Sequence, residues 1–151
     1  MPRPGRQEIR YALSLLLVLV VGASLASPAG AQVNAPRISC PNYTVISQTA
    51  SAIIIPKLAG ANTYICSLIL IANQPTALVE GTGSACGTGT AGMAGGTTAA
   101  TGFILASTST LNLGDGTAPV MKTATKGDDV CLLQAGTPQV SGVVNWVQLP
   151  F

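Results

Sequence analysis

Tyr64-Ile65-Cys66-Ser67-Leu68-Ile69-Leu70-Ile71-Ala72 is the most strongly patterned stretch of this 151-residue chain. Apolar side chains occupy both odd and even positions, so neither face of a strand here is polar. Such a run reads as a central strand covered on both sides. Asn73-Gln74-Pro75-Thr76 then carries turn chemistry, and residues 77–82 are expected to return beside it as a hairpin partner.

Working outward, the same period of two recurs in short pieces. Residues 43–48 and 52–58 form two candidate strands before the central one, with Pro56 marking an edge or a bulge. After it come residues 102–107, 110–113, 118–124, 129–135 and 140–149. Strands spaced every 8 to 14 residues with turn signals between them predict an all-β fold, an antiparallel β-sandwich or jelly roll. Residues 81–101 interrupt the pattern as a Gly/Thr/Ala-rich stretch without a charge or an aromatic. A loop of that length is functional or held down by something.

The start of the chain has a different character. Arg3, Arg6 and Arg10 precede an apolar run over residues 11–26, and Pro28 leads into Ala29-Gly30-Ala31. A basic segment, a short apolar core and an Ala-x-Ala site predict a Sec-type signal peptide over residues 1–31, cleaved after Ala31. The run falls short of the roughly 20 residues that a membrane span needs, so contact with a membrane is expected only through an uncleaved leader. The chain is then secreted, periplasmic or at the cell surface, with residues 32–151 as one β-sandwich domain.

Cys40, Cys66, Cys86 and Cys131 all follow the leader, and an even cysteine count in an exported chain predicts two disulfides. Their wide spacing lacks the close pairs of a thiolate zinc site. If residues 64–72 and 77–82 pair as a hairpin, Cys66 and Cys86 converge across the ladder. That pairing predicts Cys66–Cys86 and, by elimination, Cys40–Cys131.

Composition excludes much chemistry. There is no histidine, which removes Ser-His-Asp and Cys-His catalysis and histidine metal sites. Past the leader, Arg37, Lys57, Lys122 and Lys126 balance Glu80, Asp115, Asp128 and Asp129. A neutral, sparsely charged chain lacks the basic face of a nucleic-acid binder and the field to steer a charged ligand. Gly87-Thr88-Gly89-Thr90-Ala91-Gly92 matches G-x-G-x-x-G by letters but lacks the strand-before, helix-after context of a dinucleotide site. Asp115, Asp128 and Asp129 read as solubilising turn residues, and nothing in the sequence brings Glu80, in the strand over residues 77–82, together with Asp115 as a catalytic pair. No catalytic residue, cofactor or metal is expected. Tyr43 and Trp146 are the aromatics with possible ligand contact, for instance stacking on a glycan or another cell-surface component, although a core-facing indole is the plainer reading of Trp146.

Four segments together carry a resemblance: Tyr64-x-Cys66, Glu80-Gly81-Thr82-Gly83-x-x-Cys86-x-Thr88-Gly89-Thr90, Asp129-Val130-Cys131-Leu132, and Gln139-Val140-Ser141-Gly142-Val143-Val144-x-Trp146. The pattern resembles small, mostly uncharacterised exported bacterial and phage-associated β-sandwich proteins with paired cysteines. The resemblance implies a compact sandwich in a surface or virion-type structural role, with no catalytic residues to carry over. The leader departs from a purely virion setting and favours export by a cell. The expected function is a secreted, non-enzymatic structural or surface-interaction module that forms a homo-oligomer; the alternative is a glycan-binding module.

Overall fold

The computed structural model describes residues 37–104 and 109–151; the expected leader and its cleavage site lie outside the described residues. Among the described residues nine strands form: β1 (Asn42–Gln48), β2 (Ala52–Ile55), β3 (Asn62–Ile71), β4 (Thr76–Thr82), β5 (Thr88–Ala94), β6 (Leu111–Leu113), β7 (Met121–Lys122), β8 (Asp129–Gln134) and β9 (Val140–Leu149). They are joined by two short 3-10 turns, Ser84–Cys86 and Ala99–Thr101. All pairings are antiparallel. One sheet runs β1-β9-β3-β6, with β7 also on β3, and the other runs β2-β8-β4-β5.

The core lies between the sheets, giving a sandwich-like fold. Ile46, Leu68 and Val144 from the first sheet join Ile55, Leu78 and Leu132 from the second in one buried cluster. Each such side chain stabilises by roughly 2 kcal/mol through the apolar surface it removes from water.

The central strand is where it was expected, but its partners are not. β3 pairs with β9 on one side and with β6 and β7 on the other, while β4 pairs with β8 and β5. Both strands already have two neighbours, so they cannot also form a hairpin with each other. The segment between them arches from one sheet to the other. Gln74 Nε2 pins this corner by donating to the Pro138 carbonyl at 2.6 Å, and the Thr76 hydroxyl donates to the Gln74 carbonyl at 3.0 Å.

This arch also overturns the expected cysteine pairing. The disulfides are Cys40–Cys66 and Cys86–Cys131. Cys66 sits at a register break of β3 between Ile65 and Ser67, where it fastens the segment before β1. Cys86 lies against the other sheet, packed with Ala77, Val79 and Cys131 in a second small buried cluster. Two disulfides are consistent with an extracellular or otherwise oxidising compartment.

The stretch over residues 81–101 is not a structureless loop. It contains the Ser84–Cys86 turn and β5, which pairs with β4 through two register breaks. Ala85 (φ 46°) and Cys86 (φ 57°) both adopt left-handed backbone, a conformation that costs a non-glycine residue roughly 1–2 kcal/mol. The disulfide and the Thr90 hydroxyl, which donates to the Cys86 carbonyl at 2.5 Å, hold the turn in place. The expected strand over residues 118–124 shrinks to β7. Of residues 102–107, Phe103 makes only an isolated bridge to Thr76, and residues 105–107 lie outside the described residues.

Candidate functional site

Side chains of directly paired residues share a face, so the register defines the outer surface of the first sheet. Val45 pairs with Val143, which pairs with Ile69; Tyr43 pairs with Asn145, which pairs with Ser67; Ser47 pairs with Ser141, which pairs with Ile71. The residues that β1, β9 and β3 place on this face carry no charge; Lys122 of β7 shares it at one corner, paired with Tyr64, with its ammonium 5.8 Å from the Tyr64 ring centroid. Tyr43 is 72% exposed, Val45 65%, Ile71 47% and Ile69 38%, which makes the face an apolar surface open to solvent. Here the expectation for β3 fails in one respect. Its first half is buried on both faces, but nothing among the described residues covers Ile69 and Ile71. Sequence reasoning missed this surface because an unbroken apolar run looks the same whether its second face is covered by the protein or left open.

The two expected contact aromatics do not come together. Tyr43 projects from the outer face, whereas Trp146 pairs with Asn42 one step along the register and packs against the core between the sheets. The Trp146 indole Nε1–H donates to the Thr44 hydroxyl at 2.9 Å, which satisfies its polar edge internally. At the chain end, the Tyr64 hydroxyl donates to the Phe151 carbonyl at 3.3 Å, with ring centroids 6.3 Å apart.

The acids divide into two kinds. Asp115 is a turn residue as expected: it accepts from the Thr117 hydroxyl at 2.7 Å and the Thr117 backbone N–H at 2.9 Å. Those bonds, the hydroxyl first, hold its carboxyl below the usual carboxylate range. Glu80 and Asp129 are not surface turn residues, being only 2% and 5% exposed. The Asp129 carboxylate accepts the Lys57 backbone N–H at 2.8 Å, and the Glu80 carboxylate accepts the Ala124 N–H at 2.6 Å. Each ties a loop to its sheet. No group of three or more acids or cysteines suited to a metal occurs among the described residues. The G-x-G-x-x-G letters fall largely on β5, and among the described residues no α-helix follows them.

Burial pushes the Glu80 carboxyl up; the Ala124 N–H opposes this, the Asp128 charge adds to it, and the Thr125 N–H opposes it. An acid whose folded pKa is raised contributes stability that is complete below its unfolded value, ordinarily near 4.5, and lost as pH climbs through the folded value. Wild-type protein should therefore gain stability on acidification from neutral toward pH 4.5, and Glu80→Gln should flatten that gain. Glu80→Ala should cost about 1 kcal/mol because the part-buried bond that ties the Ala124 N–H to the sheet is lost. Urea titrations across that pH range check both; an identical pH slope in Glu80→Gln would refute the assignment.

Comparison with family models, with curated proteins and with solved structures finds no match.

Proposed function

We propose that this chain is a non-enzymatic structural or surface-interaction module of an oxidising compartment, which works by associating with copies of itself. The observation that carries this reading is the uncharged outer face of β1, β9 and β3. An apolar surface without charge has little to gain from solvent and nothing to repel a second copy. The near-neutral residues after the leader add to the case, since net charge is what ordinarily keeps small domains apart.

The strand order supports the finer reading of the architecture as a jelly roll. β4 pairs with β5, β3 with β6 and β7, β2 with β8, and β1 with β9. These are nested antiparallel pairs, as in one long hairpin ribbon folded over into two sheets. The leader sequence, with its arginines, apolar run and Ala29-Gly30-Ala31, supports export to the periplasm, the cell surface or the medium.

Light scattering on the purified, oxidised protein tests the reading. A closed homo-oligomer is the expected state at about 100 µM, a concentration at which even a micromolar interface is largely filled. A strictly monomeric protein at that concentration would overturn it.

A further inference from the structure

We propose that the free edge of β1 is where a second copy docks, the two β1 strands pairing antiparallel about Val45 to make one continuous sheet across a two-fold axis. This deepens the self-association reading and rests on it.

The inference comes from comparing the edges of the two sheets. An exposed edge strand offers unpaired N–H and C=O groups to any other strand, and folded proteins blunt such edges with short strands, charges, prolines or bulges. The second sheet ends on β2, which is four residues long, breaks register between Ile53 and Ile55 and runs straight into Pro56. Its other edge, β5, breaks register twice against β4 and contains Gly89 and Gly92. The first sheet ends on one side in β6, of three residues, and the still shorter β7.

β1 has none of these devices within its span, although Pro41 stands just before it. Its seven residues, Asn-Tyr-Thr-Val-Ile-Ser-Gln, include no charge, no proline and no glycine. It pairs with β9 from Asn42↔Trp146 to Gln48↔Val140 without a single register break. Among the described residues, no backbone group outside the sheet bonds to it. In an antiparallel pair, alternate residues turn their N–H and C=O groups away from the partner, so β1 presents such groups along its whole length.

The sequence of β1 also suits pairing with itself. Centred on Val45, Tyr43 faces Ser47, Thr44 faces Ile46 and Asn42 faces Gln48 of the second copy. No like charges meet, which would be the usual penalty of a homotypic strand pair. On the outer face, the row Ile69, Val143, Val45 continues across the axis into Val45, Val143, Ile69 of the other copy. One uninterrupted apolar band results. The contact is isologous and closes on itself, so it yields a dimer and not a filament.

Three variants test this. Val45→Lys changes a side chain that is 65% exposed, so the fold is retained while two ammonium groups meet at the axis. Self-association measured by light scattering and sedimentation should weaken by at least about tenfold. Ile71→Lys puts the same charge on the same face two strands in from the edge; edge pairing tolerates it, whereas face-to-face packing does not. Val45→Cys should form an intermolecular disulfide under oxidising conditions, read as a covalent dimer on a non-reducing gel. If Val45→Lys leaves the oligomer intact, or Ile71→Lys dissolves it equally, or Val45→Cys fails to cross-link, the β1 assignment is wrong although self-association stands. If wild-type protein is monomeric, both readings fall.

Discussion

Removing the Cys86–Cys131 disulfide is expected to destabilise the protein by about 4 kcal/mol, and removing Cys40–Cys66 by about 3.5 kcal/mol, in the chain-entropy account of cross-links. The difference follows from the segments closed: the pairs are 45 and 26 residues apart in sequence. Position widens the gap. Cys86 and Cys131 are both fully buried in the small cluster with Ala77 and Val79, so replacing them also removes packing. That pair further restrains the left-handed backbone at Ala85 and Cys86, which has no intrinsic preference for its conformation. Urea unfolding of Cys86→Ala/Cys131→Ala and of Cys40→Ala/Cys66→Ala should show both losses in that order. A loss below about 1 kcal/mol for the first pair would mean that the turn at Ser84–Cys86 is held by other means.

The pairing of those cysteines shows where sequence reasoning stops. Strand positions were legible: the pattern over residues 64–72 places β3, and residues 43–48, 129–135 and 140–149 place β1, β8 and β9 to within about a residue. Local chemistry suffices for that, because period and turn residues act over a few positions. What a strand pairs with is set elsewhere. Residues 72–76 read equally well as a hairpin turn or as an arch between sheets, and the decision belongs to distant partners such as Pro138, which accepts from Gln74. Once the hairpin was assumed, Cys66–Cys86 followed, and so did the error. Glu80 is a related case. Its place in the strand over residues 77–82 is legible, but its role as a buried acceptor depends on the approach of Ala124 from 44 residues away. The open face of β1, β9 and β3 was hidden in the same way, since exposure at Ile69 and Ile71 depends on what fails to pack there.

Gly142→Ala should cost about 3 kcal/mol, more than its conservative chemistry suggests. β9 is held on both sides by long partners: Gly142 pairs with Ile46 of β1 and Leu70 of β3, both almost wholly buried. A Cβ added there would run into the Ile69 carbonyl oxygen and come within 3.1 Å of the Leu70 Cα. These are backbone atoms of the neighbouring strand, which no rotamer change can move aside. β9 cannot retreat either, because β1 closes its other side with seven unbroken pairs. The clash must then be relieved by spreading the sheet, which loosens the packing of Leu68 and Val144 beneath it. Gly60→Ala provides the contrast. A Cβ at Gly60 meets nothing within 4 Å, and its φ of +74° leaves only the conformational penalty, about 1 kcal/mol. Equal unfolding midpoints in urea for the two variants would show that the crowding at Gly142 is absorbed. A clearly larger deficit in Gly142→Ala would locate a tight point of the fold at the centre of the sheet that ends on β1.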